Sequence, residues 1–124
     1  MSTSNQRFGD YLAEKRKDKE YTVRGIASEL GISATYYSDV ENHRRKGFPP
    51  DTLDKLPCIL GLTNDEKYTL FYLAGLEKGE ISHDIVDYVL SEPTIQQALR
   101  LAKEMDMAEN EWKEMVMQLQ RRRE

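Results

Sequence analysis

The side chains with the clearest capacity for chemistry form a basic cluster at Arg44, Arg45 and Lys46. Their guanidinium and ammonium groups are donors that pair well with phosphate and carboxylate oxygens. The cluster lies in residues 42–50, which also contain a glycine and two prolines and are therefore expected to form a loop. The cluster predicts either phosphate binding or a solvated loop, and the neighbouring elements must decide between them.

Patterns that indicate catalysis or metal binding are missing from the sequence. It contains no H-E-x-x-H motif, no nucleophile elbow and no glycine-rich loop that would cradle a phosphate. His43 and His83 are far apart along the chain and have no cysteine or paired carboxylates at ligand spacing. We therefore expect no enzymatic activity, no bound metal and no cofactor.

Apolar residues recur at helical spacing along almost the whole chain, and no stretch alternates as a half-buried strand would. The sequence therefore predicts an all-α fold. The first helix is expected from near Ser4 to about Lys17, with Phe8, Tyr11 and Leu12 on its inner face. Four further helices are predicted over residues 22–30, 33–41, 51–60 and 63–75.

Capping residues mark several of these boundaries. Thr22 and Ser33 are favourable N-caps for the second and third helices, and Gly31 between them suits a left-handed helix end. The pattern Thr63-x-x-Glu66 is a capping box that opens the fifth helix.

The fourth predicted helix contains Pro57, which removes a backbone donor and predicts a kink or a late helix start. Cys58 follows in the same apolar run and is expected to be a buried thiol. As the single cysteine, it excludes an internal disulfide. The sequence shows neither an apolar run near the roughly 18–20 residues that span a bilayer nor an N-terminal signal pattern. We therefore expect a cytoplasmic protein without membrane association.

Residues 22–41 combine several local constraints within a short stretch. Ala27 is small where the second predicted helix meets the third, Gly31 permits the turn, and Ile32, Tyr37 and Val40 supply the core side of the third helix. In these residues the chain resembles the Xre/Cro-type helix-turn-helix family, which includes the lambdoid phage repressors. The resemblance extends to about residue 75. It implies a five-helix, lambda-repressor-like DNA-binding domain over residues 1–75.

The resemblance also implies roles for individual residues. The third helix, residues 33–41, is expected to enter the major groove of double-stranded DNA with its N-terminal residues toward the base edges. Candidate base-reading residues lie on its side away from the core. These are Ser33, Ala34, Thr35, Ser38 and Asp39. Candidate phosphate contacts are Arg24, Asn42, Arg44, Arg45 and Lys46.

The chain departs from the family in one feature and matches it in another. Its members frequently have glutamine at the positions that match Val23 and Ala34, and both residues are apolar here, so no operator sequence is implied. Members also pair an arginine of the first helix with the glutamate that ends the recognition helix. The matching residues are Arg16 and Glu41, and we expect them to form a structural ion pair.

The adjacent tyrosines at 36 and 37 differ in expected position. Tyr37 is expected in the core, because it lies on the inner side of the third helix. Tyr36 could lie in the core, at the surface or against a DNA phosphate.

The chain after the first domain is expected to begin with a linker, residues 76–83, that follows a helix end at Gly75. Residues 84–124 are expected to form a small helical region with a break at Glu92-Pro93. Its last predicted helix carries an apolar stripe at positions i, i+3, i+4 and i+7. The stripe consists of Trp112, Met115, Val116 and Leu119. It either packs back on its own domain or forms a dimer interface.

The formal net charge of −4 is unevenly distributed. Residues 1–75 carry equal numbers of basic and acidic side chains, and the whole excess of acid belongs to residues 76–124.

The resemblance to the helix-turn-helix family implies a DNA-binding transcriptional regulator, a repressor that acts as a homodimer. The alternative is a protein-interaction module of antitoxin or immunity type, which keeps the helix-turn-helix fold but binds a protein partner through its acidic C-terminal helices.

Overall fold

The computed structural model describes residues 6–124, and these residues form helices without any strand. The all-α class is therefore confirmed for this part of the chain. None of these helices is long and apolar enough to cross a membrane. In chain order they are α1 (Phe8–Asp18), α2 (Val23–Leu30), α3 (Ala34–Glu41), α4 (Pro50–Leu60), α5 (Asn64–Lys78), α6 (His83–Ser91), α7 (Pro93–Glu104) and α8 (Glu109–Arg123).

The chain divides into two compact units. The first unit ends at Val86 and contains α1 to α5 with the beginning of α6. The second unit, Asp87–Glu124, contains the rest of α6 together with α7 and α8. The expected helix start near Ser4 lies outside the described residues, and α1 begins at Phe8.

Side-chain caps fix the starts of three helices in the first unit. The Thr22 hydroxyl accepts a hydrogen bond from the Gly25 N–H at 2.9 Å, and the Ser33 hydroxyl accepts one from the Tyr36 N–H at 3.0 Å. At α5, the Thr63 hydroxyl accepts from the Glu66 N–H at 3.2 Å. Each bond satisfies an N–H group that has no partner within its helix. The predicted starts of α2, α3 and α5 are confirmed.

The core of the first unit is built around Phe48, which the loop before α4 carries inward. Its ring meets those of Phe8, Tyr36 and Tyr37 at centroid distances of 6.0, 5.5 and 6.0 Å. Such aromatic contacts add to the free energy gained by burying the rings themselves. The largest fully buried side chains are Tyr37, Phe8, Phe48, Leu12, Ile26, Leu30, Leu56, Leu70 and Val40.

Helix α1 approaches the end of α3 closely at Gly9. A Cβ atom at this position would lie 2.5 Å from the carbonyl oxygen of Glu41 and 2.6 Å from that of Val40. Both distances are shorter than van der Waals contact, so only glycine fits without a backbone shift. Gly9 therefore sets the distance between α1 and the C-terminus of α3.

The predicted end of α5 at Gly75 is wrong. The helix continues to Lys78 and ends at Gly79, which has a left-handed φ of 67°. A Cβ atom at Gly75 would lie 2.8 Å from the Glu80 carbonyl oxygen, so this glycine makes room for the returning chain. Residues 76–83, predicted as a linker, thus contain the last residues of α5 and the first residue of α6.

Two expectations for α4 also change. The helix starts at Pro50 and continues through Pro57 to Leu60, so the late start does not occur. Cys58 is exposed and not buried. The buried leucines of α4 are Leu53, Leu56 and Leu60. Cys58 lies on the opposite, outer side of the helix.

The second unit buries little of its apolar surface. Ala102 on α7 is its one buried residue, at 7% exposure. Helix α8 has no buried residue at all. The predicted break at Glu92-Pro93 is present between α6 and α7, with Pro93 at the first position of α7.

Candidate nucleic-acid interface

Helices α2 and α3 are joined by a short turn over residues 31–33. Gly31 adopts a left-handed φ of 73°, and the Ile32 N–H donates to the Ala27 carbonyl oxygen at 3.0 Å. These bonds end α2 in a Schellman-like turn, and Ser33 then begins α3 at once. The first two residues of α2, Val23 and Arg24, lie near the outer face of α3.

An open depression lies between these two helices on the surface of the first unit. It contains most of the residues for which the sequence predicted contact with DNA. Its lining consists of Val23 and Arg24 from α2, Ala34, Thr35, Ser38 and Asp39 from α3, and Arg44 from the following loop. Thr35 and Arg24 are exposed, whereas Ala34, Ser38 and Asp39 are partly buried. The lining combines hydroxyl donors and acceptors, one carboxylate, two guanidinium groups and two apolar side chains.

Ser33 does not line the depression. Its hydroxyl caps α3 through the Tyr36 N–H, which uses one of its acceptor positions. Asn42, predicted as a phosphate contact, is exposed, and its amide group donates to the carbonyl oxygen of Ser38 at 2.9 Å and to the Ser38 hydroxyl at 3.2 Å. Asn42 therefore fixes the position of the Ser38 side chain at the edge of the depression.

Asp39 and Arg44 are linked across the end of α3. The Arg44 guanidinium lies 3.4 Å from an Asp39 carboxylate oxygen, and the Arg44 N–H donates to the Asp39 carbonyl oxygen at 2.8 Å. The Arg44 side chain is 70% exposed. Because an exposed pair of this kind contributes little to stability, Arg44 can exchange its carboxylate for another anion at small cost.

Arg45 is positioned by an aromatic ring. Its guanidinium carbon lies 3.9 Å from the centroid of the Tyr36 ring, in a cation–π contact. The Tyr36 ring is itself held by the core, because it packs edge-on against Phe48. Sequence reasoning left the position of Tyr36 open, and the structure places it as a platform for Arg45. Lys46 is exposed next to this contact in the chain.

The loop after α3 is also held from α1. His43 has a left-handed φ of 65°, and its Nε2 lies 3.0 Å from an Asp10 carboxylate oxygen. Sequence reasoning missed this contact, because nothing local to residue 43 indicates a partner 33 positions earlier. The contact helps to fix the backbone that presents Arg44 and Arg45.

Arg16 and Glu41 lie behind the depression. The Arg16 Nε and a second guanidinium nitrogen donate to the two Glu41 carboxylate oxygens at 2.7 and 3.1 Å, and a further nitrogen donates to the Tyr21 carbonyl oxygen at 2.9 Å. Hydrogen bonding to Glu41 raises the pKa of Arg16. Burial, followed by the neighbouring Glu41 carboxylate, raises the pKa of Tyr37 far above its usual value. Arg16 therefore stays protonated and positively charged, and Tyr37 stays neutral, across the physiological pH range.

Comparison with known proteins gives no relative for this chain: no protein-family model, no curated protein and no solved structure matches it. Residues 6–124 also contain no group of three or more histidine, cysteine, aspartate or glutamate side chains that could hold a metal ion.

Proposed function

We propose that the first unit is a lambda-repressor-like helix-turn-helix domain, and that the protein is a sequence-specific repressor that binds double-stranded DNA as a homodimer. The observation that carries this proposal is the depression between α2 and α3. Its lining brings Arg24 and Arg44 to the same surface as Thr35, Ser38 and Asp39. Specific DNA binding needs this combination, in which cations hold phosphates while short polar side chains reach base edges.

The local charge supports a phosphate partner better than the net charge does. Residues 22–46 contain four basic and three acidic side chains. Arg16 neutralises Glu41 from outside this segment, and Arg44 lies beside Asp39. The surface presented around α3 is therefore more basic than the first half of the chain as a whole. Cations at such a surface displace the counterions of DNA, which favours association at low salt.

The proposed roles follow from position and exposure. Thr35 is exposed in the first turn of α3, so its hydroxyl and methyl groups can both reach bases in the major groove. Arg24 follows the N-terminus of α2, where backbone N–H groups also favour an anion. Arg44 and Arg45 extend from the loop beyond α3 and hold phosphates on the other side of the reading surface.

Equilibrium binding to a random duplex at several salt concentrations tests the proposal. The logarithm of the binding constant should fall steeply with the logarithm of the salt concentration, by about 0.9 for each phosphate contacted. Arg24→Ala should make this slope less steep by about 0.9, which corresponds to the loss of one phosphate contact. Lys55→Ala is the matched control, because Lys55 is an exposed cation on α4 outside the depression, and it should leave the slope unchanged. Failure of the intact chain to bind duplex DNA at low salt would contradict the proposal and leave the protein-interaction alternative.

A further inference from the structure

Helix α8 presents an unpartnered apolar stripe. The exposed fractions of Trp112, Met115, Val116 and Leu119 are 38, 44, 52 and 60%. The four residues follow one another at i, i+3, i+4 and i+7, so they lie on one side of the helix. Exposed tryptophan and methionine side chains in one patch are typical of protein interfaces.

The second unit does not cover this stripe itself. Within Asp87–Glu124, Ala102 is the single buried residue. Large apolar side chains elsewhere in the unit are also exposed, among them Leu99 and Leu101 on α7 and Met105 directly after it, at 43, 49 and 74%. A unit of this size gains little free energy from so small a core, so further burial of its apolar side chains would stabilise it.

The charges along α8 are separated by sign. Its first turns contain three glutamates, Glu109, Glu111 and Glu114, with one lysine, Lys113. Residues 115–120 carry no charge, and the helix ends with Arg121, Arg122 and Arg123. Two of the glutamates, Glu109 and Glu111, precede the apolar stripe and the arginines follow it, whereas Glu114 lies within its span on the opposite side of the helix. A partner that matches this helix needs the same three segments in the opposite order.

We propose that the stripe binds α8 of a second copy of this chain in antiparallel orientation. In that orientation the acidic start of each helix lies beside the basic end of the other, and the two apolar stripes face each other. A parallel pair would instead place arginines beside arginines and glutamates beside glutamates, which is unfavourable. Antiparallel pairing also opposes the two helix dipoles favourably.

The stripe suits this arrangement in its side-chain sizes as well. Trp112 lies at one end of the stripe and Leu119 at the other. Antiparallel pairing brings the large ring of one helix toward the smaller side chain of its partner, whereas parallel pairing brings two tryptophans to the same level. The resulting contact is isologous, since the same patch is used on both copies. The inference rests on the proposed function in one respect: the pair of α8 helices is the contact that forms the proposed homodimer.

Cysteine cross-linking of the full chain tests both the partner and its orientation. In a Cys58→Ser background, which removes the exposed native thiol, a Glu109→Cys chain is mixed with an Arg123→Cys chain. Both positions lie on the same side of the stripe. They are 14 residues apart in one helix, which is about 21 Å at 1.5 Å per residue. A bismaleimide too short to span that distance should join the two chains only when the helices are antiparallel.

The expected result is a mixed dimer of the Glu109→Cys and Arg123→Cys chains, with far less cross-linking when either chain is alone. The matched control is a mixture of Asn110→Cys and Arg121→Cys chains, whose thiols lie on the side of α8 opposite the stripe and should not be joined. In sedimentation experiments without cross-linker, Trp112→Ala should raise the dimer dissociation constant by roughly 30-fold or more, as expected when a tryptophan that carries much of the binding energy of an interface is removed.

Two results would overturn the inference. Cross-linking of Glu109→Cys chains to each other would show parallel pairing, and a monomer in sedimentation without mixed cross-linking would show that α8 does not bind a second copy. Neither measurement contains DNA. A failure here would contradict the contact proposed for the homodimer but not DNA binding by the first unit, whose failure would instead appear as loss of duplex binding by a chain that still forms the mixed dimer.

Discussion

Arg16 and Glu41 form a two-point ion pair between α1 and the last residue of α3, with donor to acceptor distances of 2.7 and 3.1 Å. The exposed fractions of the two side chains are 13 and 9%. The pair fixes the C-terminal end of the helix whose outer face lines the depression, and Gly9 sets the distance between the two helices at the same place. The geometry of the proposed reading surface therefore depends on a contact that does not itself reach DNA.

Glu41→Gln should destabilise the protein by about 1–3 kcal/mol, because the partly buried Arg16 guanidinium loses its charged partner. Chemical denaturation at neutral pH measures the change in the free energy of unfolding. Glu29→Gln, at an exposed position on α2, is the control and should have little effect. Equal stability of the two variants would show that the Arg16 pair contributes nothing measurable.

Gly9→Ala should destabilise the first unit by roughly 1–3 kcal/mol, because the new methyl group would overlap the carbonyl oxygens of Val40 and Glu41. Gly25→Ala is a useful comparison, since its Cβ would lie 3.0 Å from the Thr22 hydroxyl and not against backbone. Thermal unfolding should therefore show a clearly larger decrease for Gly9→Ala. A Tm equal to that of the unchanged protein would mean that α1 and α3 are not held this closely.

The ion pair between Glu66 and Lys15 predicts a pH-dependent contribution to stability. Hydrogen bonds from Lys15 and from the Thr63 backbone lower the pKa of Glu66 to about 2 from its ordinary value of 4.5. A lowered carboxylate pKa in the folded state stabilises the protein above the unfolded pKa, and this stabilisation is lost as the pH falls through the folded pKa. The contribution should therefore be complete above about pH 5 and disappear toward pH 2.

Glu66→Gln isolates this effect, because glutamine can still accept the capping hydrogen bond but carries no charge. The difference in unfolding free energy between the unchanged protein and Glu66→Gln should shrink steadily as the pH decreases over that interval. A difference that stays constant down to pH 2 would show that the charge of Glu66 is not responsible.

The Asp39 carboxylate is expected to oppose phosphate binding near Arg44. It would repel a phosphate, and one of its oxygens already lies 3.4 Å from a guanidinium nitrogen of Arg44. Asp39→Asn should therefore strengthen binding to random duplex DNA severalfold at low salt, with a smaller gain at high salt. Asp51→Asn makes the same charge change on α4, outside the depression, and serves as the control. Equal gains in DNA affinity for the two variants would show that only the change in net charge matters.

Local signals in the sequence were sufficient to predict the starts of α2, α3 and α5. Thr22, Ser33 and Thr63 each hydrogen-bond to a backbone N–H three residues later, so their effect is visible within one turn of sequence. Gly31 similarly ends α2 by its own backbone conformation. These assignments required no knowledge of the tertiary structure.

Contacts between distant residues explain the predictions that failed or were missing. Gly75 is a separate, local case: the helix end that it suggested lies at Gly79, whose left-handed turn brings the Glu80 backbone back against Gly75. The stacking of Arg45 on Tyr36 depends on Phe48 behind the ring, and the contact of His43 with Asp10 depends on the packing of α1 against the loop. The residues proposed to bind DNA and the Arg16–Glu41 pair were found from a resemblance, whereas the contacts of His43 and Arg45 were not.

Phosphate contacts and base reading can be separated by substitution, because they respond to different features of the DNA. Arg44→Ala combined with Arg45→Ala should weaken binding to specific and random duplexes alike. It should also lower the salt dependence by roughly one unit for each lost phosphate contact. The specific duplex is the one obtained by selecting bound fragments from the source genome.

The most direct test of the central claim is the binding of Thr35→Ala to that selected duplex and to random DNA, each at two salt concentrations. We expect a loss of about 1–3 kcal/mol on the selected duplex, nearly unchanged affinity for random DNA and an unchanged salt slope. Ser28→Ala, at an exposed position of α2 outside the depression, should change neither affinity. If Thr35→Ala binds both duplexes as the unchanged protein does, α3 does not read the bases and the proposed function is contradicted.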